Sequence, residues 1–424
     1  MEQVLTNSEN LQENNIENLE IKKQTKRIKS IDRFRGFCVF AMLVFQFLKN
    51  FPSLGILSRL ANHSLTEGIV ILPGMTIADI IAPSFIFAIG LTYALSFNKW
   101  KNLYGLKNVY IHFVERGLSL IGIGGFLATC NKILDSFSGY KFNTVDIIFI
   151  VLSSIALAAL VFKLVCLIPV LNNKIGKLST NIFYIALSVL GFYNLVIAGI
   201  DFFALLNDIN TSTYGYWVTL QNIGMACLVT LPLIQAKNWL RFLVASVIFV
   251  LYTVFHQIGN HQQLLDVVVH GGFLGGFGWG AMLIFDVIVA DIYFKDKSKY
   301  ISIVALFAGI GVWSTFYFGN INLGSCSPAF ILTSVGLSGL LFYLFHLCDK
   351  LPHFKFDPLI WWGKNPLLMF LVEFFVIGLY SELVPDSILS GAPLWLAIIE
   401  GVVAVILLTL ICYLLNKSKK SFSL

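Results

Sequence analysis

Residues 22–48 read KKQTKRIKSIDRFRGFCVFAMLVFQFL, a basic run that passes directly into an apolar one. Seven bases (Lys22, Lys23, Lys26, Arg27, Lys29, Arg33 and Arg35) and one acid, Asp32, occupy 22–35. Gly36 to Leu48 then carries no charge. Such a junction belongs at a membrane face. The apolar run enters hydrocarbon as a helix, and the bases stay with anionic headgroups at about 1 kcal/mol each near the surface. Composition extends this reading to the whole chain. Of 424 residues, 57% are hydrophobic and 12% charged, against about 45–50% and about 25% in a soluble domain. With only 11 Pro, 33 Gly and 7 Cys, a collagen-like, disordered or disulfide-stapled chain is excluded. The alternating polarity of a transmembrane β-barrel is absent.

Twelve apolar spans follow along the chain, at about 36–48, 77–97, 109–130, 146–169, 181–201, 215–235, 242–257, 271–293, 300–318, 328–348, 361–381 and 392–415. The expected fold is therefore all-α, a polytopic transmembrane bundle of about 12 helices with both termini cytoplasmic. Charge supports the count. With the N-terminus inside, 22 of the 29 bases fall in inner segments and four (Lys49, Arg59, Lys132, Lys141) in outer ones, the bias that orients membrane proteins. The remaining three, Arg116, Lys163 and Lys364, sit within spans. The excess reports orientation, and no nucleic-acid partner is expected. Residues 1–21, with five Glu and no base, read as a disordered acidic tail. Residues 22–35 are a basic juxtamembrane segment, 36–415 the transmembrane domain and 416–424 a basic cytoplasmic tail. No apolar run precedes the basic segment, so no cleavable signal peptide is expected. Of the cysteines, Cys130 and Cys326 fall near outer ends of spans, the one placement that suits a disulfide.

Ionisable groups inside a bilayer cost about 2.5–3.5 kcal/mol at a helix centre on insertion scales, so the exceptions are informative. Glu115 and Arg116 lie in the third span, Asp286 in the eighth, Glu373 in the eleventh and Glu400 in the twelfth. Internal ion pairing between helices is the plain expectation for Asp286 and Glu400. The eighth span opens His270-Gly271-Gly272-Phe273-Leu274-Gly275-Gly276-Phe277-Gly278-Trp279-Gly280. Gly272, Gly276 and Gly280 form a close-packing face. His270 at its mouth, with His256, His261 and Asp266 nearby, offers a general base, whereas their spacings match no metal motif and no metal is expected. Thr76-Ile77-Ala78-Asp79 fits a helix N-cap with an acid at N3.

The motifs resemble a known family. Arg27-Ile-Lys-Ser-Ile-Asp-Arg-Phe-Arg-Gly36 and Gly74-Met-Thr-Ile-Ala-Asp-Ile-Ile-Ala-Pro-Ser-Phe-Ile-Phe-Ala-Ile-Gly90 are similar to the two opening motifs of the heparan-α-glucosaminide N-acetyltransferase family of transmembrane acyltransferases. Trp362-Gly363-Lys364-Asn365-Pro366-Leu367 resembles its C-terminal G-x-N segment, and Thr219-Leu220-Gln221-Asn222-Ile223-Gly224 weakly resembles another, a slot that Val145-Asp146-Ile147-Ile148 could fill instead. The resemblance implies transfer of an acetyl group from cytoplasmic acetyl-CoA to an amino or hydroxyl group of an extracytoplasmic glycan or lipid-linked sugar. It implies CoA binding by Arg33 and Arg35, with Lys364 and Asn365, and an outer site around Asp79. The family's site Asn is replaced here by Gln46. Its site His falls on Ile69, and the nearest His is His63, six residues earlier. His63, His256, His261 and His270 are the candidate bases, His63 and His270 foremost, with His63 narrowly preferred. The implied partners are the bilayer, acyl-CoA and a sugar or glycolipid acceptor; an oligomer is open. A bacterial plasma membrane is the expected location. Two other readings stay open: a twelve-helix transporter using Asp286 and Glu373, and a non-catalytic relative of the acyltransferases.

Overall fold

In a computed structural model, described over residues 28–63, 68–137, 139–165, 173–258, 261–350, 357–374, 384 and 393–417, the chain is a helical bundle with one two-stranded hairpin. The tail 1–21, residues 22–27 of the basic segment, the second half of the span 361–381 and the end of the chain from 418 lie outside the described residues. Nine described helices are long and apolar enough to cross a membrane. The three expected spans missing from that set each have a physical reason. Helix α1, Lys29–Lys49, begins seven residues before the apolar run, so Asp32, Arg33 and Arg35 lie inside it. The segment at 215–235 forms a helix of only 12 residues (α7, Thr219–Thr230), continued by a 3-10 turn at Leu231–Leu233. The region from 361 is broken at Asn365, where α13 (Asp357–Lys364) ends and Pro366 starts α14 (Pro366–Glu373).

The short helix α2 (Ile56–Ala61) and the hairpin of β1 (Val70–Leu72) and β2 (Met75–Thr76) lead into α3, Ile81–Tyr104. There follow α4 (Leu106–Phe137), α5 (Thr144–Val165) and α6 (Asn173–Asn207). After α7 come α8 (Asn238–Gln257), the short α9 (His261–Val267) and α10 (Gly272–Lys295). Helices α11 (Lys297–Phe318), α12 (Pro328–Cys348) and α15 (Leu394–Lys417) complete the order. The span holding α10 is the most buried of the nine, packed by α3, α7, α8 and α12, while α15 is the least.

Apolar burial alone does not hold helices together in lipid, whose tails are as apolar as leucine; close backbone approach and internal polar bonds do. The expected glycine face of α10 serves this. A Cβ on Gly276 or Gly280 would press into Met225 or Val229 of α7. The two family-like motifs at opposite ends of the sequence meet in the same way. A side chain on Gly36 of α1 would overlap the Leu359 carbonyl of α13, and one on Gly363 would overlap the Asp32 carbonyl. Helix α7 is too short to span bare lipid, but Leu220 to Cys227 are all buried in protein. Arg241 on α8 receives its far end: Nε donates to the Leu233 carbonyl (3.0 Å), and the guanidinium also bonds the Ile234 carbonyl and Asp291 of α10. Terminal carbonyls are thereby satisfied inside the bundle.

Candidate active site

The bundle has two ends, and the sequence candidates divide between them. At one end Asp79 lies in a 3-10 turn (Ala78–Ile80) that precedes α3, 1% exposed. Thr76 donates to its Oδ2 through the backbone N–H (2.8 Å) and the hydroxyl (3.0 Å). The backbone bond is half of the expected capping arrangement, with the acid reaching back to an orphan N–H. Oδ1 accepts from His63 Nδ1 at 2.7 Å. Ile69 N–H donates to the Arg59 carbonyl, and the hairpin turns at Pro73-Gly74, with Gly74 at φ +83°. That fold-back carries His63 to the acid. A carboxylate accepts, so Nδ1 carries a proton, and in the neutral ring Nε2 holds the lone pair. The His63 side chain is 46% exposed, so this lone pair belongs to a ring that reacting groups can approach.

His270 enters the same end from the other side. It sits in a left-handed conformation (φ 54°, ψ 40°) in a 3-10 turn, so α10 starts at Gly272 rather than at His270. Nδ1 bonds the Leu323 carbonyl at 3.2 Å, and Nε2 faces the Thr219 hydroxyl at 2.8 Å. A carbonyl only accepts, so Nδ1 is the protonated nitrogen and Thr219 donates to Nε2. One loop joins the two histidines: Ile321 N–H donates to the Pro73 carbonyl at 2.9 Å, two residues before the Leu323 carbonyl that holds His270.

The other histidine and carboxylate candidates are held elsewhere. His256 is buried, with Nε2 at 3.3 Å from Ser325 Oγ. His261 stacks on Phe255 at 4.2 Å. Burial pushes the Asp266 carboxyl up, against hydrogen bonds from Ser325 and Asn322 that lower it. No group of three metal-ligating side chains occurs among the described residues. Cys130 and Cys326, expected to suit a disulfide, are both free. Gln46 is half-buried, one turn from the end of α1 that leads towards His63. Asp286, expected in an internal ion pair, is buried with neither carboxylate oxygen hydrogen-bonded among the described residues. The side chain of Glu373 lies outside the described residues.

The proposed CoA ligands gather at the opposite end. Arg33 is buried and ion-paired with Asp349, and Arg35 is half-buried and has a partner of its own. Lys364 bonds Asn416, while Asn365 is buried at the start of α14. Beside the Arg33–Asp349 pair lies a cavity of about 470 Å³ lined by Ser30, Tyr293, Lys297, His346 and Lys350. Sequence reasoning missed these last four, and also Thr219 and the 320–327 loop. The turn-forming run Asn322 to Ser327 marks a loop, but nothing local shows that it reaches Pro73 and His270.

A multi-pass helical membrane protein with a His–Asp pair at one end and a cationic cavity at the other is thus defined. Residues 27–204 match the family model described as heparan-alpha-glucosaminide N-acetyltransferase, catalytic. Over those residues the match supports an acyltransferase family of that type, as the motifs indicated. It contains Arg33, Arg35, Gln46, His63 and Asp79; Thr219, His270, Lys364 and Asn365 lie beyond it. No curated protein matches the chain.

Proposed function

We propose that the protein is a transmembrane acyltransferase that takes an acetyl group from acyl-CoA on the cytoplasmic face and delivers it to an amino or hydroxyl group of a glycan or lipid-linked sugar outside. The observation that carries this reading is the 2.7 Å bond between His63 Nδ1 and a buried Asp79 carboxylate, made within the stretch that matches the acetyltransferase family. The bond fixes the tautomer in which Nε2 accepts a proton. Asp79 then stabilises the imidazolium formed as the acceptor attacks the thioester carbonyl. General-base catalysis of this kind contributes about 10²–10⁴-fold.

The positive-inside count supports a cytoplasmic Arg33 end and twelve crossings, with both termini inside. CoA carries phosphates, and Lys297 and Lys350 around the cavity supply cations beside Arg33. Lys364 is the weaker candidate, since Asn416 already engages it. A bacterial inner membrane suits the basic N-terminal segment. A transporter reading draws on Asp286, a buried carboxyl without a hydrogen-bond partner among the described residues, but it leaves the His63–Asp79 pair without a task. The test is reconstitution in vesicles with acetyl-CoA on one side and glucosamine on the other. Acetylglucosamine should form, and His63→Ala should abolish it while acetyl-CoA still binds. Full transfer by His63→Ala would overturn the assignment.

A further inference from the structure

The His270–Thr219 pair has a geometry that a purely structural histidine does not need. Thr219 opens α7, and its hydroxyl lies 2.8 Å from His270 Nε2. The other ring nitrogen is fixed by a carbonyl, so the accepting lone pair points at the hydroxyl. A hydroxyl, a base within hydrogen-bond reach and a third group that orients the base form the arrangement of an activated nucleophile. Holding His270 there uses a left-handed backbone, which costs a non-glycine residue roughly 1–2 kcal/mol. Strain of this sort concentrates at functional sites.

Two residues beside the pair, Asn222 and Trp279, each carry a buried N–H donor without a partner among the described residues. Asn222 lies one helical turn after Thr219, so the two share a face of α7. Its Oδ1 accepts from Trp217 Nε1 at 3.1 Å, and its Nδ2 has no partner among the described residues. Trp279 is fully buried, its ring centroid 5.7 Å from that of His270, and its Nε1 is likewise unpartnered. Buried donors are nearly always satisfied, and each exception calls for an explanation. Donors waiting where negative charge will develop are what an oxyanion requires.

We propose that Thr219 is an acyl-accepting nucleophile, that His270 is its base, and that Asn222 Nδ2 and Trp279 Nε1 stabilise the tetrahedral oxyanion. The inference rests on the acetyl-transfer reading and divides that reaction into two steps. In the first, Thr219 Oγ bonds the acetyl carbonyl carbon and its proton passes to His270 Nε2. The C–S bond then breaks, and His270 returns the proton to sulfur, releasing CoA thiol and leaving an acetyl ester on Thr219. In the second, the acceptor nitrogen or oxygen bonds the ester carbonyl. One acceptor proton reaches the departing Thr219 Oγ through His270 Nε2. His63, backed by Asp79, removes the extra proton that an ammonium acceptor carries. Each step runs downhill for an amine, from thioester to ester to amide.

The experiment uses the full-length protein in detergent with radiolabelled acetyl-CoA and no acceptor. CoA thiol should be released in an amount stoichiometric with protein, and peptide mapping should find one acetyl group on Thr219. Thr219→Val should take no label, whereas Thr219→Ser, which keeps the hydroxyl, should take it. His63→Ala should become labelled yet fail to pass the acetyl group to glucosamine. Asn222→Asp retains the Oδ1 acceptor but loses the donor, and should slow labelling by about 10²–10³-fold, as should Trp279→Phe, with acetyl-CoA binding unchanged in Trp279→Phe. An unlabelled wild-type protein that still transfers acetyl to glucosamine, or label on another residue, would refute the nucleophile and leave the acyltransferase reading standing. Absence of acetyl-CoA binding would remove both.

Discussion

Asp79→Asn separates a catalytic His–Asp pair from a structural one. The backbone N–H of Thr76 donates to Oδ2 at 2.8 Å and cannot turn away. The amide oxygen of Asn must therefore take that position, which turns Nδ2 towards His63. A donor now faces Nδ1, where the wild-type carboxylate accepts at 2.7 Å. His63 must expose the Nδ1 lone pair and move its proton to Nε2. The ring stays in place, but the nitrogen that served as base carries a hydrogen. The loss should approach the full general-base contribution, about 10²–10⁴-fold in kcat, or about 3–5 kcal/mol in the barrier at 1.4 kcal/mol per factor of ten. Acetyl-CoA affinity should not change, because its proposed cation site is at the other end of the bundle. The assay is glucosamine acetylation in vesicles, with acetyl-CoA binding measured calorimetrically on the same preparation. A variant with wild-type kcat would refute the tautomer argument. Equal loss of CoA binding and turnover would mean that Asp79 holds the fold.

Cysteines introduced at Tyr104 and Ile209 should label with an impermeant maleimide from the inner and outer faces respectively; the reverse at either position would break the topology. Lys350→Ala and Lys297→Ala should each weaken acetyl-CoA binding several-fold, and less at high salt, where the attraction is already screened; unchanged affinity in both would move the phosphate site elsewhere. Gly363→Val forces a side chain into the Asp32 carbonyl of α1 and should destabilise the fold by about 1–3 kcal/mol of overpacking or more, read in detergent as a lower thermal unfolding midpoint; an unchanged midpoint would show that the two helices are free to separate.

Much of the membrane architecture was legible in the chain itself. Apolar runs without charge have one stable environment, and the skew of bases between alternate connections is the ground for the proposed direction. The described helices follow the expected order, although α1 starts earlier and the segments at 215–235 and 361–381 break where a 3-10 turn and Asn365-Pro366 interrupt them. Gly276 and Gly280 form the expected packing face against α7, while Gly272, the third glycine of the spacing, opens α10 with a positive φ and meets only Val268. The Asp79 motif was readable too, since Thr76 and Asp79 are three residues apart and their bonds are local.

The partners of the histidines were decided by tertiary structure alone. His63 reaches Asp79 across 16 residues only because the 68–76 segment folds back as a hairpin and is pinned to Ile321. His270 meets Thr219 from 51 residues away and the Leu323 carbonyl from 53. Asp286 looked like half of an ion pair, yet no cation bonds it among the described residues. Charge on a span shows that a group needs explaining and leaves its neighbours unspecified. Periodicity and hydropathy record what each segment does with its own backbone and with lipid. Which side chains meet across the bundle depends on how the helices are rotated and how loops close over their ends, a property of all the contacts together.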